Sequence, residues 1–227
     1  MPRVLVTGAA SGIGAGTAGF LARNSWEVVK ADIAGGDDIV KLDVSDPESW
    51  IDVVRHAGPL DALVNCAGIR TRVGLLDLTL EVWEQTLRVN LSGCFLGIQT
   101  FARSLIDAKR QGAIVNVASV NALQPIKGQP HYLASKAAVA MLTKGAALEL
   151  AEHRIRVNAI APGAIETPML ADRLAQPGQR DWLLGKIPWD RLGQPEDIAA
   201  GIAYLLSDAA DYVTGVVLPI DGGQLLS

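Results

Sequence analysis

Cysteine is scarce in this chain of 227 residues, with Cys66 and Cys94 the only two. They form neither a C-x-x-C pair nor a metal-ligand spacing, which argues against a disulfide framework and against a zinc centre. Both read as reduced, buried small hydrophobes, and no metal is expected. Basic clusters are missing as well. The formal net charge is −4 and no Lys/Arg block occurs, so a nucleic-acid partner, which requires a concentrated basic face, is disfavoured. No apolar run approaches the length of a membrane span, and the stretch after Met1-Pro2-Arg3 is too short for a secretory signal. No membrane partner is therefore expected, and the default location is the cytoplasm.

Aromatic residues amount to 5%, whereas 49% of the chain is hydrophobic and Ala and Gly are abundant. That balance suits helices packed closely on a sheet. Seven short runs rich in Val and Ile read as strands: Arg3–Thr7, Glu27–Ala31, Ile39–Asp43, Asp61–Asn65, Ala113–Ala118, Ile155–Ile160 and Gly215–Ile220. They lack strict alternation, as strands buried on both faces do. Helical stretches lie between them, at Gly14–Asn24, Pro47–His56, Leu80–Lys109, Tyr132–Glu152 and Pro195–Ser207. Alternation of this kind implies right-handed crossovers and a parallel sheet covered on both faces. The segment between Asp32 and Asp43 is too short for a helix and contains Gly35-Gly36, so a loop or single turn is expected there. No linker or repeat divides residues 1–227, and the expected fold is a single doubly wound α/β domain of the Rossmann type with seven parallel strands.

Three groups of residues carry chemistry. The first strand runs into Gly8-Ala9-Ala10-Ser11-Gly12-Ile13-Gly14. Glycines at such a turn let the backbone approach a pyrophosphate, and the following helix offers unpaired N–H groups. Asp32 ends the second strand, where a carboxylate accepts ribose hydroxyls and repels a 2′-phosphate. Its neighbours Ile33 and Ala34 are neutral, although Lys30 lies two residues upstream. NAD is favoured over NADP. Tyr132 and Lys136 are spaced i,i+4 on one helix face. A phenol ionises near pH ~10, and an adjacent ammonium favours the phenolate. Ser119 ends a strand, at the sheet edge where open α/β sheets place their sites.

These residues, with Asp43-Val44, Asn65-Cys66-Ala67-Gly68, Asn90 and Pro162-Gly163-x-x-x-Thr167 in the same order, resemble the classical short-chain dehydrogenases/reductases over essentially the whole length. The resemblance implies that Tyr132 moves the hydroxyl proton, Lys136 holds the nicotinamide ribose and favours the Tyr132 phenolate, and Ser119 orients the substrate oxygen. It implies that Asn90 interrupts a helix and holds a water leading from Lys136. It assigns Asp43 and Val44 to the adenine, Asn65, Ala67 and Gly68 to the adenosine and ribose, and Pro162, Gly163, Ile165 and Thr167 to the nicotinamide. Cys66 stands where many members carry a second Asn. The segment of residues 169–192 corresponds to a mobile substrate lid. A homo-oligomer, dimer or tetramer, is also implied.

The reaction implied is NAD(H)-dependent exchange of hydride with a small-molecule secondary alcohol or ketone. Two subgroups are near: carrier-protein 3-oxoacyl reductases and dihydrodiol dehydrogenases such as those acting on dihydroxy-cyclohexadiene carboxylates. A non-catalytic dinucleotide sensor on the same fold is the alternative of another class, since fold alone does not prove catalysis. Arg70 and Arg72 follow the fourth strand, and Arg173 and Arg180 lie in the lid segment. One reading has Arg72 clamp a substrate carboxylate; the other has Arg70 and Arg72 pair with Asp77 or Glu81 in solvent. His131 is expected to point away from the site.

Overall fold

A computed structural model describes residues 1–227. Seven parallel strands form one sheet: β1 (Arg3–Thr7), β2 (Glu27–Asp32), β3 (Val40–Lys41), β4 (Ala62–Asn65), β5 (Gly112–Val117), β6 (Ile155–Pro162) and β7 (Val217–Ile220), in the order β3-β2-β1-β4-β5-β6-β7. The order reverses between β1 and β4, which creates the crevice where doubly wound sheets bind ligands. The central strands are buried on both faces, and Val4, Leu5, Val6, Leu63, Val64, Ile114 and Val115 are inaccessible to solvent. Parallel strands of this kind read as continuous apolar runs because neither face meets water.

Helices α1 (Gly12–Arg23) and α8 (Pro195–Leu206) pack against each other on one face. On the other lie α2 (Pro47–Ala57), α3 (Leu80–Leu87), α4 (Gly93–Asp107) and α5 (Pro130–Leu150). Two short helices, α6 (Pro168–Leu174) and α7 (Gln179–Leu184), follow β6 and form a small separate core of Leu170, Leu183, Ile187 and Leu192. No helix of the chain is long and apolar enough to cross a membrane.

Three expectations change in detail. The expected single helix Leu80–Lys109 is two helices joined by a π turn, Arg88–Ser92, in which the Gly93 N–H reaches back to the Arg88 carbonyl. The extra residue opens the helix around Asn90. Gly93 follows because a Cβ there would lie 2.9 Å from Val44 Cγ2. The expected strand Ile39–Asp43 pairs over only Val40–Lys41. Between β2 and β3 the chain makes a turn closed by Gly35 N–H on the Asp32 carbonyl and a Gly36–Ile39 bridge, so no helix forms there. β7 begins at Val217 rather than Gly215.

Candidate active site

Helix α5 aligns the central pair. Its buried positions include Tyr132, Ser135, Lys136, Val139, Ala140, Thr143 and Ala147, the i, i+3, i+4 stripe of a helix lying on a sheet. Tyr132 and Lys136 are therefore polar members of a core-facing stripe. Lys136 is buried, its Nζ donates to the Val117 carbonyl at 2.7 Å, and the same Nζ is 5.8 Å from the Tyr132 ring centre. A buried ammonium needs such partners. Ser119 lies just beyond β5 in extended backbone at the start of a 3₁₀ turn, where its Oγ accepts the Asn121 N–H at 3.1 Å. Ser119, Tyr132 and Lys136 all line one cleft of about 1110 Å³.

That volume exceeds the roughly 300–1,000 Å³ of ordinary ligand pockets, and the cleft runs over the carboxyl ends of the strands. At its β2/β3 side stand Asp32, Asp43 and Val44. Asp32 is tethered through both oxygens, which accept the Ala10 and Ala34 N–H groups at 3.1 Å each. Each oxygen keeps a further lone pair for a ligand. Asp43 accepts the Ser45 hydroxyl at 2.7 Å and its N–H at 2.9 Å, and the Ser45 hydroxyl is the main reason its carboxyl lies below the usual range. In the middle, Gly8, Ser11, Gly12, Ile13 and Gly14 form the floor. Gly8 has φ +67°, and a Cβ on it would sit 2.8 Å from Ala67 Cα. No side chain caps the first amides of α1. This backbone-lined cradle beside a carboxylate fits an extended dinucleotide. Ala67, Gly68, Pro162, Gly163, Ile165 and Thr167 complete the wall.

Asn65 does not join them. Its side chain turns into the core, where Nδ2 donates to Asn116 Oδ1 and Asn116 Nδ2 donates in turn to Thr143 Oγ1, both at 2.9 Å. Cys66 lines the cleft instead, half-buried rather than buried as expected, while Cys94 is buried. Burial pushes both thiols up to about 12. Asn90 borders the site from behind and is held by Ile69 and by Ser135 Oγ, the latter at 3.1 Å. His131 is fully buried, with Nε2 2.9 Å from Thr71 Oγ1, and burial pulls its basicity down. Thr7 is a further contributor: its Oγ1 accepts the Cys66 and Ala67 N–H groups at 3.0 and 3.1 Å, fixing the loop after β4. Its mark in the sequence is its place at the end of the first strand, immediately before Gly8.

Residues 169–192 separate into those that line the cleft and those paired elsewhere. Arg173, Trp182, Leu183 and Lys186 line the cleft. Arg180 is paired with Glu166 at 2.9 Å and Arg191 with Asp197 at 2.7 Å. Trp189 is exposed. Arg70 donates to the Met169 carbonyl at 2.8 Å and so links the loop after β4 to the start of α6.

A dinucleotide cradle joined to a Ser–Tyr–Lys constellation over a doubly wound sheet defines a nicotinamide-dependent oxidoreductase. A family profile described as enoyl-(acyl carrier protein) reductase matches residues 8–224. The chain is 38% identical to a 2,5-dichloro-2,5-cyclohexadiene-1,4-diol dehydrogenase of Sphingobium indicum, over 96% of this chain and 94% of that one. It is 41% identical to a 3-oxoacyl-[acyl-carrier-protein] reductase of Thermotoga maritima, over 98% and 97%. A protein of Agrobacterium tumefaciens, provisionally described as a 2-deoxy-D-gluconate 3-dehydrogenase and bound to NADP, superposes with a TM-score of 0.95 at 38% identity, covering 100% of this chain and 97% of that one. A 4-hydroxyisoleucine dehydrogenase complexed with NADH gives 0.93 at 30% identity, with 100% of both chains covered. The chain belongs to the short-chain dehydrogenase/reductase family, and it is an oxidoreductase acting on CH–OH groups with a nicotinamide dinucleotide.

Proposed function

We propose that this protein is an NAD-preferring dehydrogenase/reductase of secondary alcohols and ketones, with Tyr132 as the acid/base. The observation that carries the reading is the meeting of Ser119, Tyr132 and Lys136 in the same cleft as the glycine cradle and Asp32. Asp32 would hold the adenosine ribose, Gly8, Ser11, Gly12, Ile13 and Gly14 the pyrophosphate, Asp43 and Val44 the adenine, and Ala67, Gly68, Pro162, Gly163, Ile165 and Thr167 the rest of the cofactor. A bound nicotinamide would supply the redox chemistry, as hydride acceptor or donor. In oxidation, Tyr132 Oη takes the alcohol proton and Ser119 Oγ donates a hydrogen bond to the substrate oxygen, with the Lys136 Nζ 5.8 Å from the Tyr132 ring centre. In reduction the same hydroxyl returns the proton. Asn90 supports this wall through Ile69 and Ser135 rather than by reaching the substrate.

Preference for NAD rests on charge. Asp32 faces the ribose position, and Lys30, two residues upstream on β2, is engaged with Asp38 at 2.6 Å. The Agrobacterium relative with NADP sets the opposite expectation. The proposal extends to a lid at residues 169–192, to one domain over residues 1–227, and to a cytoplasmic dimer or tetramer. Exposed Phe95, Met141 and Leu148 on α4 and α5 support the last. Carrier-protein reduction is the second reading, favoured by the Thermotoga relative, and oxidation of a dihydrodiol the third, favoured by the Sphingobium relative. NADH formation against a panel of secondary alcohols, compared with carrier-bound 3-oxoacyl reduction, tests the choice. Turnover of only the carrier-bound substrate would replace the first reading, and dinucleotide binding with no turnover in either direction would leave a sensor.

A further inference from the structure

The substrate end of the cleft carries cations without counter-ions. Arg70, Arg72 and Arg173 all line it, and none belongs to an ion pair of the fold. The acidic neighbours that sequence offered, Asp77 and Glu81, pair with neither Arg70 nor Arg72. The carboxylates lining the cleft are Asp32 and Asp43, over on the β2/β3 side. Arg173 is the most telling of the three, being only 8% exposed. Its Nε donates to Gln179 Oε1 at 3.0 Å and its guanidinium lies 4.6 Å from the Trp182 ring centre. The terminal nitrogens donate to no protein acceptor. Stacking of this kind fixes the plane of the fork and leaves its outer edge for a ligand.

The outer edge of this oriented guanidinium lines the cleft and is a ready partner for an anion. Two further like charges on the same wall strengthen that attraction. Arg173 is held below its usual basicity first by burial and then by Arg72 and Arg70. Arg70 is lowered mainly by burial, with the Tyr132 phenol opposing that shift. The three arginines line the same cleft as Tyr132 and Ser119, and Arg173 is carried on α6 with Trp182 and Gln179 beside it.

We propose that the substrate is an anionic secondary alcohol, in the first instance a hydroxy acid, whose carboxylate is received by Arg173 together with Arg70 and Arg72 while its carbinol oxygen meets Tyr132 and Ser119. The inference rests on the oxidoreductase reading and narrows it to a substrate class. It makes Arg173 a specificity-determining residue carried on α6, so that closure of the lid segment and capture of the anion are one event. Arg70 links that segment to the loop after β4 through the Met169 carbonyl.

The test uses NAD and matched pairs: 3-hydroxybutyrate with its methyl ester, 3-hydroxycyclohexanecarboxylate with its methyl ester, and glycerol 1-phosphate with glycerol. The acid of at least one pair is expected to exceed its neutral partner at least about tenfold in kcat/KM. The exposed Arg72→Leu and the buried Arg173→Gln should each reduce that acid-to-neutral ratio at least about tenfold, through KM. Arg173→Lys, which keeps the charge without the fork, should fall between and guards against loss of folding. Preference confined to the phosphate pair would change the anion from carboxylate to phosphate and overturn the hydroxy-acid assignment. Neutral members turned over as well as acids would overturn the whole inference. So would variants that raise the KM for NAD as much as that for the acid, which would assign the cluster to the cofactor's pyrophosphate. If no alcohol is oxidised, the enzymatic reading fails on its own, and titration of NADH-bound protein with cyclohexanecarboxylate decides the anion site separately. Binding weakened about tenfold by Arg72→Leu or Arg173→Gln sustains it, and no binding at millimolar concentration rejects it.

Discussion

Asn90 pairs its side-chain amide with both backbone groups of Ile69: Oδ1 accepts the Ile69 N–H at 2.8 Å and Nδ2 donates to the Ile69 carbonyl at 3.0 Å. The π turn that carries Asn90 thereby holds the loop between Gly68 and Arg70. Asn90→Ala leaves two backbone groups without partners in a poorly hydrated place, at about 1–3 kcal/mol. Urea denaturation should show that loss, and kcat/KM should fall with it. A variant as stable as the parent would mean that the loop holds itself.

Tyr132→Phe removes one oxygen from a ring packed in the buried stripe of α5. Loss of a general acid/base is expected to lower kcat at least about a hundredfold. Binding of NADH, followed by its fluorescence, should move little. A Phe variant retaining half of the parent kcat on a good substrate would dismiss Tyr132 as the proton-transfer group.

For the parent protein, kcat/KM should favour NAD over NADP by about 10–100-fold, roughly 1.4–2.8 kcal/mol. Asp32→Ala should narrow the ratio by removing repulsion, and it also frees the Ala10 and Ala34 amides that the carboxylate now holds. Measured with both cofactors at saturating substrate, a parent that already prefers NADP would refute the charge argument.

Both thiols are pushed up to about 12 by burial, so they stay protonated well above neutrality. Since the thiolate is the reactive form, labelling at pH ~8 by a thiol reagent should run at least about a hundredfold slower in the folded protein than in the unfolded chain. The sign for stability follows. The raised folded value gives a contribution fully present below the unfolded value near ~8.5, which fades as pH rises above it. Rapid native labelling of Cys66, the thiol that borders the cleft, would show that this wall opens to solvent.

Much of this arrangement is legible in the sequence, because apolar runs, glycine turns and i,i+4 pairs are local. β1, β2, β4, β5 and β6 begin and end within about two residues of where their Val and Ile runs suggest. The apolar pattern of Leu80–Lys109 hides the π turn, since one extra residue leaves it intact; only the family resemblance places an interruption, at Asn90. The inward turn of Asn65 is also hidden: it depends on Asn116 and Thr143, which come from β5 and α5. Arg173 and Arg180 look alike in the sequence after β6. Only tertiary packing puts Glu166 beside one and Trp182 beside the other.

The bare turn between β2 and β3 leaves one edge of the sheet without the helix that a full crossover would lay over it. β3 pairs over two residues, both exposed, and beside it Lys30 projects to Asp38 where a covered face would carry an apolar side chain. So short and charged an edge offers little template to a foreign strand. It also sets a gradient of opening across the molecule. Amides of Val40 and Lys41 are expected at the low-protection end of hydrogen exchange, and those of β5 and β6 to exchange only with global unfolding, which a hydrogen-exchange time course checks. The β2/β3 end of the cleft is thus expected to open locally while the centre of the sheet stays closed.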